Sequence, residues 1–371
     1  GVLRQPALAG TLRLIAEKGP AGFYQGAVAE EVLAVVKARG GKLAAVDLAG
    51  YRVREIAPLQ GKFFAYKALT MPQPSAGGAQ LLAMAEFAEP FLAKVGKAKE
   101  RGTVAGEVGV LHAFAEAMRR SFVLRFAYGG DTNKPAARLG QLYPRKVRRK
   151  LQRSFRADGA TPTARIAIGG STVARQRGNT SHVSIIDSNG MAVASTHTIN
   201  LLFGAGMVTP KGGVWLNNEL DDFSFTLKDS NAFGLAGNSA GLFRAGARPP
   251  SSMTPTILLE KGKPRLLIGA PGGTRIPTAV FQAAWWHLVA GLPLQQAVAK
   301  MRVHHQGFPD RIWLERGAAA DGVSKGLEGI GHKVNKVAPW CNIQAVGVTS
   351  EPSRQLEAVS DNRYEGGAMA M

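Results

Sequence analysis

The sequence holds one cysteine, Cys341, among 371 residues. A single thiol excludes an internal disulfide and any metal site built from several cysteines. The seven histidines show no HExxH or comparable ligand spacing, which disfavours a metal enzyme. No stretch approaches the roughly 18 apolar residues that a membrane-spanning helix requires. Acidic residues are scarce: 26 Asp and Glu stand against 46 Lys and Arg, a net charge of +20. That excess favours solubility and non-specific attraction to anions, nucleic acid and membrane surfaces included, and says little about fold. The first residues, GVLRQPALAG, carry neither an initiator methionine nor the charged-then-apolar pattern of a signal peptide, so the start reads as trimmed, processed or incomplete.

What is present is a globular composition, with 45% hydrophobic residues and 45 glycines, long enough for one large domain or two ordinary ones. The first 130 residues are mainly helical in pattern. A segment beginning at Leu12, Leu14 and Ile15 stops at Gly19-Pro20, and a second over 28–37 stops at Gly40-Gly41. Asp47 is placed to cap a short segment, and Val110, Leu111, Phe114, Met118, Phe122 and Leu124 predict a long helix over 107–127. Residues 144–156, PRKVRRKLQRSFR, place Val147, Leu151 and Phe155 at four-residue intervals, the pattern of an amphipathic helix with a basic outer face. No aromatic platform accompanies it, so a solvated face is favoured over specific nucleic-acid binding.

Residues 157–179 turn to Gly/Ala/Thr-rich text, the place for a linker or processing loop. Strands follow. HVSIID and MAVASTHTI flank a Ser188-Asn189-Gly190 turn, and TILLE and RLLIGA flank Lys261-Gly262-Lys263-Pro264. Helices are expected at 278–290 and 294–302, and short strands at 342–348 and 356–359. Helices, then strand groups, then helices point to a layered sandwich rather than alternating βαβ units.

Polar groups stand where these strands begin or end. Asn179-Thr180-Ser181 leads into the first strand, and Thr198 and Asn200 close the second. Asn217 to Phe223 follows an apolar strand, and PPSSMTPT (249–256) and APGGTRIP (270–277) come later. Singly, each has an ordinary structural meaning: a strand start decorated with hydroxyls, a turn, a sharp bend, a helix cap. Thr180 read alone is either such a strand start or a nucleophile awaiting cleavage of the bond before it.

Taken in order, TSHVS, TIN, LNNELDDFS, PSSMTPT and PGGTRI closely resemble the γ-glutamyltranspeptidase family. GFYQG (22–26), DLAGYRVRE (47–55), MPQPSAGG (71–78), HHQGFPDR (304–311) and the closing SDNRYEGGA extend the resemblance over essentially the whole chain. It implies an α+β fold, the four-layer αββα sandwich of N-terminal-nucleophile hydrolases. It implies autocatalytic cleavage between Asn179 and Thr180, giving a large-subunit part, 1–179, and a small subunit, 180–371, that stay associated as a heterodimer in one domain. Residue by residue, it makes Thr180 the nucleophile and base through its freed amine, and Thr198 the supporting hydroxyl. Gly272 and Gly273 become the oxyanion hole. Asn200, Glu219 and Asp222 would hold the substrate's α-ammonium, and Ser251 and Ser252 its α-carboxylate. Phe233 stands where many bacterial members have a lid tyrosine, which predicts a leakier lid.

The implied reaction moves a γ-glutamyl group from glutathione or another γ-glutamyl compound to water or to an acceptor amino acid or peptide, with no cofactor or metal. The resemblance also implies an export signal and a carboxylate-clamping arginine upstream of this start, and hence a periplasmic or secreted protein. No residue of the chain matches that arginine. Two other readings are weighed: an amidohydrolase of the same fold acting on glutaryl-cephalosporins or oxamate, which the Glu219/Asp222 pair argues against, and an inactive, truncated cationic remnant.

Overall fold

Residues before and after position 180 share one sheet. The computed structural model describes residues 2–95, 103–132, 135–168, 180–226, 241–349 and 355–369. Asn179, Phe233 and the end of the expected processing loop lie outside them. The chain falls into two compact units, Gly1–Ile56 with Thr198–Glu219, and Ala57–His197 with Leu220–Met371.

The smaller unit carries four helices, α1 (Pro6–Lys18), α2 (Ala21–Tyr24), α3 (Gly26–Ala38) and α4 (Ala45–Ala49). Proline opens α1, where its fixed φ suits a helix start and its missing N–H costs nothing. The sequence places Leu12 on an amphipathic face, but Leu12 is exposed and Thr11 is the buried residue of this helix. The reason is a polar contact: the Thr11 hydroxyl donates to the Gly212 carbonyl at 2.8 Å. Glu31 on α3 accepts from the backbone N–H groups of Lys211 (2.6 Å) and Gly212 (2.7 Å). These bonds tie the 198–219 segment to the helices. In α4, Asp47 accepts from the Ala44 N–H at 2.8 Å, the capping role its position predicts. The apolar strand expected before Asn217 does not form; Trp215 makes only an isolated bridge to Val208.

The larger unit begins with β1 (Leu59–Phe63) and β2 (Tyr66–Thr70), followed by α5 (Gly77–Val95), α6 (Val104–Tyr128), α7 (Leu139–Leu142) and α8 (Arg145–Arg153). Then come β3 (Thr180–Ile186), β4 (Ala192–Thr198, whose last residue belongs to the smaller unit), β5 (Thr256–Glu260) and β6 (Lys263–Gly269). The remainder is α9 (Ile276–Leu288), α10 (Leu294–Ala299), β7 (Val303–His304), β8 (Ile312–Glu315), α11 (Ala320–Gly329), β9 (Val334–Val337), β10 (Gln344–Val348) and β11 (Leu356–Ser360). Strands β1-β2-β5-β6-β10-β11 form a six-stranded antiparallel sheet, while β7-β8-β9 form a small separate one. The first 130 residues are mainly helical, as their pattern predicts, and the hairpin β1–β2 is an element the sequence reading did not place there.

Helices α5, α6 and α9 make the core on one side of the large sheet. Phe281 of α9 meets Phe63 of β1 and Phe114 of α6 edge-on, with centroids 6.0 and 5.1 Å apart. All three rings are fully buried, each contributing about 1.5–3 kcal/mol by leaving water. On α8, Leu151 is buried and the arginines and lysines surround it, as the four-residue spacing predicts.

The β3–β4 hairpin forms a second sheet against the large one. A Cβ on Gly269 of β6 would lie 2.3 Å from the His182 ring of β3, so only glycine permits this approach. Along β3, His182 is buried while Val183 and Ile185 are exposed, the alternation of a strand with one covered face. Helices, a large sheet and a second sheet therefore follow one another in this unit.

Candidate active site

Thr180 is the first residue of β3, half-buried at the junction the sequence marks. The strand behind it is pinned by His182, whose ring nitrogens lie 2.7 Å from Thr196 Oγ1 and 3.0 Å from Ser184 Oγ. Burial, aided by the His197 charge, lowers the His182 pKa to about 4, so the ring is neutral near pH 7. His182 is thus a neutral link between β3 and β4, holding the Ser184 hydroxyl of the motif and the Thr196 hydroxyl of the neighbouring strand.

In the smaller unit, Thr198 ends β4 and its hydroxyl accepts from the Asn200 N–H at 2.8 Å. Asn200 is buried at φ 73, a left-handed conformation that asparagine tolerates better than most residues. Its amide donates to the Asn218 carbonyl at 3.2 Å, and the Asn218 side chain accepts from the Leu201 N–H at 3.0 Å. The Glu219 N–H donates to the Asn217 side chain at 2.9 Å. Thr198, Asn200 and the stretch leading to Glu219 are therefore brought together by side-chain-to-backbone bonds. Glu219–Asp222 is one short 3-10 turn.

In the larger unit, Ser251 and Ser252 are both buried in a loop stitched to the PSAGG segment. The Ser251 carbonyl accepts from the Ala76 N–H at 2.9 Å, and Ser75 donates to the Met253 carbonyl at 2.7 Å. Arg125 of α6 donates to Ser252 Oγ at 2.7 Å and to Gln80 Oε1 at 3.0 Å. Burial lowers the Arg125 pKa to about 10, opposed by the negative charge of Asp222, and the side chain stays a cation. The sequence reading missed Arg125. Its one signal is an arginine set among Val123, Leu124 and Phe126 in an otherwise apolar stretch.

Gly272 and Gly273 sit at φ 133 and φ 57, leading through a 3-10 turn into α9. A Cβ on Gly272 would stand 2.2 Å from the Cys341 sulfur. Burial pushes the Cys341 thiol up to about 12, so it fills space as a neutral thiol. Arg275, three residues after Gly272, lies over the Trp340 ring at 4.7 Å. Among the described residues, no group of three or more His, Cys, Asp or Glu side chains is placed to hold a metal ion, and no helix is long and apolar enough to cross a membrane.

The sequence pattern of the family described as Gamma-glutamyltranspeptidase matches residues 1–371. This chain belongs to that family. It is 34% identical to the glutathione hydrolase proenzyme of Escherichia coli over 97% of its own length and 60% of the relative's. Against the glutathione hydrolase proenzyme of Pseudomonas aeruginosa the identity is 35%, over 98% of this chain and 63% of the other. The chain thus spans about three-fifths of the length of the curated relatives it matches. A crystal structure of cephalosporin acylase from Bacillus halodurans superposes on the whole chain with a TM-score of 0.80 at 21% identity, covering 63% of that chain. The fold is therefore the αββα sandwich of N-terminal-nucleophile hydrolases, as the γ-glutamyltranspeptidase resemblance implies.

Proposed function

We propose that the protein is a γ-glutamyl hydrolase and transferase that cuts its own chain between Asn179 and Thr180. The observation that carries the reading is the placement of Thr180 as the first residue of β3, in a unit whose sheet draws strands from both sides of that bond. In the precursor, the Thr180 hydroxyl attacks the Asn179 carbonyl, the C–N bond gives way to an ester, and water hydrolyses the ester. The freed α-amine, with a reference pKa of about 7.7–8.0, is suited to proton transfer near neutral pH. One residue then carries both nucleophile and base.

In turnover, Thr180 Oγ attacks the γ-carbonyl of glutathione or another γ-glutamyl amide while its amine takes the hydroxyl proton. Backbone N–H groups of Gly272 and Gly273 stabilise the tetrahedral oxyanion, and the Thr198 hydroxyl supports the nucleophile. The proton passes to the leaving amine as the C–N bond breaks. Water or an acceptor amino acid or peptide then opens the γ-glutamyl ester. Asn200, Glu219 and Asp222 provide an amide oxygen and two carboxylates for the α-ammonium. Ser251 and Ser252, both buried in one loop, take the α-carboxylate.

The parts 1–179 and 180–371 would remain one heterodimeric domain. Pairing of β2 with β5 and packing of α6 against α9 support that association. A periplasmic or secreted location goes with the glutathione hydrolase reading. The test is turnover of a γ-glutamyl-anilide by the wild-type protein and by Thr180→Ala. The variant is expected to stay uncut and inactive; equal rates in both proteins overturn the mechanism.

A further inference from the structure

We infer that Arg125 is a positioning and specificity-determining residue for the carboxylate end of the substrate, acting through Ser252 from beneath the serine pair. This inference rests on the reading that Ser251 and Ser252 receive the α-carboxylate, and it adds a residue that this reading does not include.

Three observations carry it. Arg125 is 5% exposed, on the interior of α6, where a cation is costly unless it has partners. Two of its hydrogen-bond partners, Gln80 Oε1 and Ser252 Oγ, are neutral. Asp222, which the same reading assigns to the substrate's ammonium, is the carboxylate whose charge acts most on it. Arg125 is thereby tied to both ends of the amino-acid head: through Ser252 to the carboxylate, through Asp222 to the ammonium.

Hydroxyl chemistry supplies the mechanism. A serine has one hydrogen to donate and two lone pairs to accept with. The guanidinium occupies one lone pair at 2.7 Å, so the hydroxyl hydrogen must turn elsewhere. Among the described residues, the Ser252 hydroxyl has no acceptor. A hydroxyl polarised by a cation and left with its hydrogen unused is a strong donor to an anion. The Gln80 amide likewise keeps a buried donor, Nε2, with no partner among the described residues. This cluster is rich in donors and positive charge, which suits a carboxylate and does not suit a cation or an apolar group. The α-carboxylate would reach the Ser252 hydroxyl directly and Arg125 only through it.

The experiment compares γ-glutamyl-p-nitroanilide with 4-aminobutyryl-p-nitroanilide, which lacks only the α-carboxylate, in wild type, Arg125→Met and Arg125→Lys. Arg125→Met is expected to raise KM for the γ-glutamyl substrate by about 10- to 100-fold, the weight of a hydrogen bond to a charged group, with kcat changed less than threefold. The 4-aminobutyryl substrate should be nearly unaffected. Arg125→Lys keeps the charge without the planar fork and should fall between, lowering the preference for the carboxylate-bearing substrate by about three- to tenfold. If Arg125→Met does not fold, Arg125→Lys decides alone. A preference unchanged in the folded variant, or a fall in kcat shared equally by both substrates, overturns the inference and leaves the γ-glutamyl activity standing. Wild-type protein that turns over neither anilide overturns that activity, and this inference with it.

Discussion

Ala68 of β2 and Leu258 of β5 are paired across the six-stranded sheet, on opposite sides of the Asn179–Thr180 bond in the chain. Cutting that bond leaves the pairing untouched. Further links cross the same point: Asp310 accepts from the Thr163 N–H at 2.7 Å and pairs with Arg119, and His112 lies 2.8 Å from His332. The prediction is that aged protein elutes as one species under native conditions and separates into two bands only in denaturant. Thr180→Ala should give one band in both. Fragments that separate at neutral pH without denaturant would contradict it.

Gly272 faces two constraints that differ in kind. Its φ of 133 is a conformation that L side chains rarely adopt, and a Cβ would meet the Cys341 sulfur at 2.2 Å. Gly272→Ala is expected to lower stability by about 1–3 kcal/mol and kcat by about 10²–10³-fold, since the displaced N–H would be an oxyanion donor. Adding Cys341→Ala opens the steric contact and should return part of the stability, but little of the rate. Thermal melting of the single and double variants, read beside kcat, separates the two effects.

How far the sequence disclosed this structure depended on local chemistry. The β3–β4 and β5–β6 hairpins were legible because each turn carries a glycine suited to positive φ: Gly190 at 83 and Gly262 at 82. The β1–β2 hairpin was not, because its turn holds Phe64 at φ 53, an aromatic where turn chemistry would favour glycine or asparagine. Strand β7 is two residues long and offers no period to read. Thr180, Ser251 and Gly272 stood out by motif. Arg125 did not, because what distinguishes it is a partner 127 positions away in the chain.

Buried neutral histidines make stability depend on acid. Burial lowers His182 and His305 to about 4 and His332 to about 3. The unfolded chain takes up these protons near pH 6.5, while the folded chain resists until pH 4 or below. Between those values the unfolded state binds more protons, so stability falls as pH falls. Each such histidine adds a slope of about 1.4 kcal/mol per pH unit. Urea unfolding at intervals from pH 7 to pH 4 should show this decline. His332→Gln should flatten it by about one proton, whatever it does to stability at pH 7. An unchanged slope would mean that His332 is protonated in the folded state.

Glutaryl-anilide differs from γ-glutamyl-anilide only in lacking the α-ammonium, so the pair of substrates isolates the work of Asp222 and Glu219. Wild type is expected to prefer the γ-glutamyl substrate strongly, and Asp222→Ala to lower that preference by about 10- to 100-fold through the rate with γ-glutamyl-anilide. Asp222 also offsets the buried charge of Arg125, so the same variant should melt at a lower temperature. The two effects part in Asp222→Ala/Arg125→Met. Removing both charges should recover melting temperature relative to Asp222→Ala, because no uncompensated cation stays buried. The substrate preference should not recover. If it did, Asp222 would act only by steadying Arg125, and the ammonium would find its partner elsewhere.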